Sequence, residues 1–291
     1  MVFETFLLSE DGKIRHWRFF IFGFIYTTLG MFLAAQIFKA WASLVMVFLA
    51  MLASVPVFYT LTIQEEKRIL SNENELTLWK RHNDIIMLFI ILFLGMVCAF
   101  AFWYFILPKT VSTSLFSLQT STIGDINSKI TGQASIPTGK LSMLIFINNL
   151  KVLVSALIFS FLYGIGALFI LTWNASVLGT AMGSFAKSQF TIAGSVTGLT
   201  IGGTIYAGII TLLRFWIHGI PEMAGYFVGG LAGGILSVAI MHHDISTKYF
   251  EKITLDVAVL LFWAIGILLV SAGIEVFITP LIVKMFSLAI L

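Results

Sequence analysis

Residues 85–107 read IIMLFIILFLGMVCAFAFWYFIL, a stretch that contains no charged residue and no proline. An α-helix needs about 20 consecutive apolar residues to cross the hydrocarbon core of a bilayer. A helix that is apolar on every side belongs in a protein core or in lipid. This stretch is therefore predicted to be a transmembrane helix.

Other stretches of the chain share this apolar character and have a similar length. They cover residues 19–38, 41–63, 150–172, 190–213, 222–241 and 257–283. Together they predict an all-α fold, a polytopic transmembrane helix bundle of six to seven spans. Glycine and threonine make residues 190–213 the least apolar of these stretches, so a full span and a re-entrant helix both stay open there.

The composition excludes several classes of protein. Hydrophobic residues make up 59% of the chain and charged residues 11%, and the mean hydropathy is +1.00. Soluble domains carry about 25% charged residues, so no large soluble domain is expected. The net charge of +3 is small and scattered, which argues against a nucleic-acid partner. With Cys98 as the single cysteine, an internal disulfide and a cysteine-based metal site are both excluded.

Two hydrophilic segments divide the predicted spans. Residues 64–84 mix glutamates with basic residues and predict a short amphipathic helix at the inner surface. Residues 110–140 are rich in Ser, Thr and Gly and predict an outer loop with one short surface helix. The chain is therefore expected to comprise an N-terminal transmembrane hairpin with its inner segment, residues 1–84, and a second transmembrane domain, residues 85–291.

The distribution of basic residues predicts how the bundle is oriented. Cytoplasmic loops carry an excess of Lys and Arg. The pairs Lys67-Arg68 and Lys80-Arg81 favour an N-terminus on the inner side, and seven crossings from there put Lys187 inside as well. The protein is expected to be a multi-pass protein of the cell membrane.

Glycines recur at every fourth position in two neighbouring predicted spans. They are Gly194, Gly198 and Gly202 in one span and Gly225, Gly229 and Gly233 in the next. This spacing places each trio on one helix face, where the backbone of another helix can approach closely. The pattern predicts that the fifth and sixth spans pack through these glycines, and it leaves open a further role as a dimer face.

Polar groups within or beside the spans are the candidate functional residues. They are His218, Glu222, Glu275, Arg214, Asn148, Asn149 and Lys151. An ionisable group inside a membrane costs about 2.5 to 3.5 kcal/mol on insertion scales, so such groups are retained for a reason. The predicted spans bring these residues to one level near the outer boundary. There Pro221 lies in the first turn of the sixth helix and Glu222 opens it.

This cluster leaves two interpretations open. It is a site for an ion, a proton or a polar partner segment, or it is a structural network in which Arg214 or Lys151 pairs with a glutamate. One His and two Glu could coordinate zinc, but the sequence has no HExxH motif, so metal binding stays undecided. No phosphate-binding motif occurs, and no cofactor is predicted.

Three ordered blocks of the sequence are similar to one known family. The first block contains Asn148-Asn149-Leu150-Lys151, Tyr163-Gly164-Ile165-Gly166, Trp173-Asn174 and Leu178-Gly179. The second is His218-Gly219-Ile220-Pro221-Glu222, and the third is Ile274-Glu275-Val276-Phe277 with Thr279-Pro280. Over roughly residues 85–291 the chain resembles the stage II sporulation protein M family of integral membrane proteins. An additional N-terminal hairpin precedes that region.

The resemblance implies a multi-span fold more strongly than it implies a function. In spore-forming bacteria the family works with cell-wall-degrading partners while a membrane migrates around the forespore, and relatives also occur in organisms that make no spores. A non-enzymatic membrane scaffold or membrane-remodelling component is the expected function, with possible membrane or cell-envelope protein partners and a possible homo-oligomer. A transporter or channel that uses the His/Glu cluster is the main alternative, and an intramembrane metalloenzyme is a third.

Overall fold

The described part of the protein is helical throughout. The computed structural model describes residues 16–71, 78–131, 137–160, 165–197, 201–242 and 248–288. The first helices are α1 His16–Ile37, α2 Ala42–Ser71, α3 Leu78–Ile106, α4 Lys109–Leu115 and α5 Ser117–Thr131. They are followed by α6 Thr138–Ser160, α7 Ile165–Thr197, α8 Ile201–His242, α9 Lys248–Gly273, a π-helical turn Ile274–Ile278 and α10 Thr279–Leu288. The predicted all-α fold is confirmed.

Within the described residues, seven helical stretches are long and apolar enough to cross a membrane, judged by length and composition. They are His16–Ile37, Lys39–Thr60, Ile86–Ile106, Thr138–Ser160, Ala167–Ile192, Ile205–Ile240 and Lys248–Phe286. These spans confirm a polytopic membrane protein. The end of the bundle at which α1 begins is named the near end, and the opposite end is named the far end. The sequence predicts that the near end is cytoplasmic.

The predicted boundaries of the fourth to sixth spans are wrong. The predicted stretch 150–172 runs across the end of α6 at Ser160, and the stretch 190–213 runs across the end of α7 at Thr197. Ser, Thr and Gly give Ala167–Ile192 the lowest mean hydropathy of the seven spans, 1.3, so a hydropathy pattern locates its ends poorly. Most of the predicted fifth and sixth spans instead belong to one helix, α8.

Two hydrophilic segments also differ from their predictions. The described parts of the segment 64–84 belong to the long helices, because α2 continues to Ser71 and α3 begins at Leu78; residues 72–77 lie outside the described part. The predicted outer loop 110–140 contains the helices α4 and α5. Gln119 of α5 is fully buried and accepts a hydrogen bond from Ser43 Oγ at 2.7 Å, while its Nε2 donates to Ser176 Oγ at 3.2 Å. One face of α4 and α5, with Ser112, Phe116 and Gln119, is therefore buried against the far end of the bundle, while the other face is exposed.

The N-terminal hairpin packs on the rest of the bundle by backbone contact. α1 and α3 cross at Gly23 and Gly95. A Cβ atom on Gly23 would collide with the carbonyl oxygen of Leu92, and one on Gly95 would collide with that of Phe20. Each helix thus uses a glycine to admit the backbone of the other.

α7 lies against α3 in a similar way. A Cβ atom on Gly179 would lie 2.8 Å from the carbonyl oxygen of Val97, and one on Gly183 would lie 2.6 Å from that of Ala101. Further along, Lys187 Nζ donates a 2.7 Å hydrogen bond to the carbonyl oxygen of Leu107, just beyond the far end of α3. The prediction that Lys187 lies on the same side as the N-terminus is therefore wrong.

Among the described residues, the glycines of the second ladder do not face a glycine of the first. Gly202 has no atom within 4 Å of a Cβ placed on it, Gly198 lies outside the described residues, and so do the surroundings of Gly194 in α7. Gly225 faces Leu268 of α9, Gly229 faces Leu153 of α6, and Gly233 faces Ser160 of α6. The second ladder thus receives side chains from α6 and α9. Since α8 continues the chain from Ile201 to His242, Gly202 and Gly225 lie far apart along one helix.

Candidate ion-binding site

α8 passes without interruption through the position at which the sequence predicts a helix start. Pro221 lies inside α8, so Glu222 is an interior residue and gains nothing from a helix N-terminus. A proline in a helix interior lacks the N–H that would bond the carbonyl oxygen four residues earlier, here that of Ile217. Such prolines are tolerated in membrane helices, where neighbouring groups can satisfy the backbone. The local helix is therefore weakened next to two ionisable residues, His218 and Glu222.

The facing helix is irregular at the same place. α9 ends at Gly273 and continues as a π-helical turn over Ile274–Ile278, which contains Glu275. Thr279 Oγ1 donates a 3.1 Å hydrogen bond to the carbonyl oxygen of Ile274, five residues earlier. π-helical turns occur frequently at functional sites, because they redirect side chains and loosen the regular backbone ladder.

These two irregular segments bring three ionisable side chains together. One ligand atom from each of His218, Glu222 and Glu275 lies within 4.8 Å of the others. All three residues are partly buried. The structure therefore assembles the His/Glu cluster that the sequence proposed, with His218 and Glu222 from α8 and Glu275 from the π-helical turn after α9.

Hydroxyl groups hold two members of the cluster in place. Tyr226 Oη donates a 2.9 Å hydrogen bond to Glu222 Oε1 from one turn further along α8. Ser271 Oγ donates to the carbonyl oxygen of His218 at 2.8 Å, which ties α9 to α8. Thr279 Oγ1 lies 3.4 Å from His218 Nδ1, so Nε2 is the ring nitrogen left for another partner.

Contacts with α3 show the depth of the cluster. The span Ile86–Ile106 has 21 residues, about one hydrocarbon thickness, so its middle marks the middle of the bilayer. Gly219 and Met223, which directly follow His218 and Glu222 in α8, line an apolar pocket together with Leu94 and Val97 of α3. The α8 part of the cluster therefore lies level with the middle of the α3 span, whereas the sequence predicted a position near its outer end. The difference follows from starting a span at Glu222, which lies midway along a continuous helix.

The basic candidates Arg214 and Lys151 are exposed, although Arg214 still interacts electrostatically with His218. Arg214, one turn before His218, is exposed, and its guanidinium lies 4.8 Å from the centre of the Phe185 ring. Lys151 is exposed on α6, as is Asn148. Arg214 thus packs against an aromatic ring towards the far end of the bundle. Among the described contacts of Arg214 there is no ion pair with a glutamate.

Asn149 occupies a different environment from Asn148. Its side chain is only 3% exposed, and its Nδ2 has no hydrogen-bond partner. Leu153, one turn later on α6, faces Gly229 of α8, and Ser160 faces Gly233, so the two helices run in parallel. Asn149 is accordingly level with Gly225, one turn from Glu222, and α6 also contacts the π-helical turn.

A comparison with protein-family models identifies the C-terminal two thirds of the chain. Residues 85–280 match the model of the stage II sporulation protein M family. The chain belongs to this family. No curated protein and no solved structure matches the chain. The family match contains His218, Glu222 and Glu275, whereas α1, α2 and the first seven residues of α3 precede it.

Three residues of this family member's site were not among the sequence candidates. Tyr226 contacts Glu222 within α8, whereas Ser271 and Thr279 reach His218 only because α9 and α10 pack on α8. Tyr226 had a usable signal, because it lies four residues after Glu222 and so shares its helix face. For Ser271 and Thr279 the sequence offered no such spacing, since their partner His218 lies more than 50 residues away along the chain.

Proposed function

We propose that this protein is a non-enzymatic cation-binding membrane protein, and that it moves the cation across the cell membrane. One observation carries the proposal. Three ionisable groups from α8 and the π-helical turn converge within 4.8 Å of one another, and the two on α8 lie near the middle of the span Ile205–Ile240. A helix bundle that serves only as a support has no need of them, because each costs about 2.5 to 3.5 kcal/mol on insertion scales.

The irregular backbone around the cluster supports the same proposal. In secondary transporters, ion sites lie near the bilayer midplane and are formed where membrane helices are broken. Here Pro221 interrupts the hydrogen bonding of α8, and the π-helical turn Ile274–Ile278 interrupts that of α9. Both weak points flank the cluster, so the two helices can change shape there at little cost.

Flux through vesicles tests this function. The purified full chain is reconstituted into lipid vesicles, and influx of H⁺, Na⁺ and Co²⁺ is followed with an entrapped indicator for each. We expect influx of at least one of these ions above that of empty vesicles. Glu222→Gln and Glu275→Gln should each reduce it about tenfold or more, because each removes one charge on which the cation depends.

Glu251→Gln is the matched control, because Glu251 is an exposed carboxylate on α9 outside the cluster. It should leave the influx unchanged. Absence of influx for all three ions, or equal influx in all three variants, would contradict the proposal.

A scaffold is the second candidate, and one observation favours it. α6 is the least covered of the seven spans, since only 17% of its most apolar window is buried. Asn148 and Lys151 are exposed on it, close to the middle of the helix. A charge exposed to hydrocarbon is unfavourable, so a partner helix with an acidic or polar group would stabilise this face.

Native gel analysis of membranes solubilised in mild detergent tests the scaffold. A scaffold predicts a complex larger than the 32.2 kDa chain that is lost in Lys151→Leu and retained in Val154→Leu, an apolar neighbour on the same exposed face. A monomer in both the unmodified chain and the variants would dismiss this candidate.

A further inference from the structure

We propose that the cluster of His218, Glu222 and Glu275 is a site for a divalent transition-metal ion of the Zn²⁺ class. This inference deepens the proposed function and rests on it for its place in transport. It goes beyond that function because it names the class of ion. The evidence is the chemistry of the ligand atoms, their charge and the groups that hydrogen-bond to them.

The ligand atoms select a class of metal. Carboxylate oxygens alone suit Mg²⁺ and Ca²⁺, whereas an imidazole nitrogen suits zinc, copper, iron and nickel. Zinc accepts both His nitrogen and Asp or Glu oxygen as ligands, so one His with two carboxylates offers it three ligand atoms. His218 therefore separates this site from one built for an alkali or alkaline-earth ion.

The charges fit a divalent ion. Two ionised glutamates carry two negative charges, and a neutral imidazole adds none, so a divalent ion forms an electrically neutral complex. Neutrality matters in this position, because an uncompensated charge at mid-bilayer is costly. A monovalent ion between the same ligands would leave one negative charge uncompensated.

The second layer of contacts has the form found around metal ligands. A metal-binding His usually has its other ring nitrogen held by a hydrogen-bonding group, and metal-binding carboxylates are hydrogen-bonded in turn. Thr279 Oγ1 lies 3.4 Å from His218 Nδ1, and Tyr226 Oη donates to Glu222 Oε1 at 2.9 Å. Both ligands of α8 are thus oriented from outside, with His218 Nε2 left for the ion.

The distances require only a small closure. At metal–ligand distances of about 2.1 Å, two ligand atoms of a tetrahedral site lie about 3.4 Å apart. The present atoms lie within 4.8 Å of one another, so a side-chain movement of about 1.4 Å completes the site. Glu275 lies in the π-helical turn, where the backbone ladder is already relaxed, and it is well placed to make that movement.

A buried amide at the same level provides a separate indication that the site takes a polar ligand. Asn149 Nδ2 is a buried donor without a partner, and such groups are rare. Asn149 lies level with Gly225, one turn from Glu222. A metal complex adds acceptors at this level, either a metal-bound water or the second oxygen of a carboxylate ligand.

Metal binding to the full chain tests this inference. The protein is purified without a polyhistidine tag, stripped with chelator in detergent and titrated with Zn²⁺ and with Co²⁺. We expect one equivalent of Zn²⁺ per chain, bound about a hundredfold more weakly by His218→Ala and by Glu275→Gln. Thr279→Val, which removes only the group behind His218, should weaken binding about tenfold. Co²⁺ in the unmodified chain should show the absorption of a nitrogen- and oxygen-ligated ion.

The controls are His16→Ala and Glu251→Gln, which remove an exposed histidine and an exposed glutamate elsewhere. They should bind Zn²⁺ as the unmodified chain does, and excess Mg²⁺ should not compete. Stoichiometric Zn²⁺ binding that survives His218→Ala, or no binding by the folded unmodified chain, would overturn the inference. If vesicle influx of H⁺ or Na⁺ still falls in Glu222→Gln, the proposed function stands without the metal. If Zn²⁺ binds but no ion is moved, the site stands without the transport function.

Discussion

The α1–α3 crossing and the α8–α9 site show two ways of packing membrane helices. At the crossing, Gly23 and Gly95 bring two backbones into contact and leave no room for a single added carbon atom. At the site, α8 and α9 are held by side chains, with Ser271 Oγ bonded to the carbonyl oxygen of His218. The first arrangement is close-packed and apolar, whereas the second is polar and irregular.

This difference separates the part of the bundle that fixes shape from the part that can change it. Lipid supplies no hydrophobic force between helices, so close van der Waals contact must hold them together. The glycine crossing provides such contact along unbroken helices. Beside the site, Pro221 and the π-helical turn interrupt the regular backbone hydrogen bonding of the helices, so local rearrangement costs less free energy there.

The largest expected effect comes from filling the crossing. Gly95→Ala places a methyl group against the carbonyl oxygen of Phe20, and backbone cannot move aside as a flexible side chain can. We expect the free energy of unfolding in mixed micelles to fall by about 3 kcal/mol, the upper part of the usual range for overpacking. Denaturant titration followed by circular dichroism measures this change.

Gly266→Ala is the control for that change, because a Cβ atom on Gly266 of α9 has no atom within 4 Å. It should raise stability by up to about 1 kcal/mol through helix propensity. Equal effects of the two substitutions would show that α1 and α3 do not touch at their backbones.

A smaller effect is expected from coupling within the site. Glu222→Gln and Glu275→Gln disturb one network, so the double variant should lose less stability than the sum of the single variants, by about 1 kcal/mol. The same unfolding titration measures the four members of the cycle. Glu222→Gln combined with Glu251→Gln should be additive, since Glu251 lies outside the cluster. Additivity in both cycles would show that Glu222 and Glu275 contribute to stability independently and do not form one network.

The smallest effect is expected at a glycine that faces a side chain. A Cβ atom on Gly229 would meet Leu153 Cδ1, the end of a flexible side chain. Gly229→Ala should therefore cost less than about 1 kcal/mol, because Leu153 can change rotamer. A loss as large as that of Gly95→Ala would remove the contrast between the two kinds of packing.

The sequence predicted what depends on composition and missed what depends on packing. Residues 85–107 were recognisable as a span, because an uncharged apolar stretch of that length is typical of a transmembrane helix. The grouping of His218, Glu222 and Glu275 was also predictable, since ionisable residues in apolar helices avoid lipid by meeting one another. Gly23 and Gly95 went unnoticed because each is a single glycine without a repeat. The path of α8 through Pro221 was missed because a proline after Gly219 resembles a helix start, and only neighbouring helices make a continuous helix stable there.

The central claim is that the middle of this bilayer-spanning bundle contains a polar site that aqueous cations reach. Reaction of an engineered cysteine with a positively charged methanethiosulfonate tests it most directly, in membranes and in a Cys98→Ser background. Thiols react as thiolates, which form in water and not in hydrocarbon. Glu222→Cys should react about tenfold faster or more than Val270→Cys, which is 60% exposed on α9 at a similar depth but faces lipid. Equal rates, or no reaction of Glu222→Cys in the folded protein, would contradict the account.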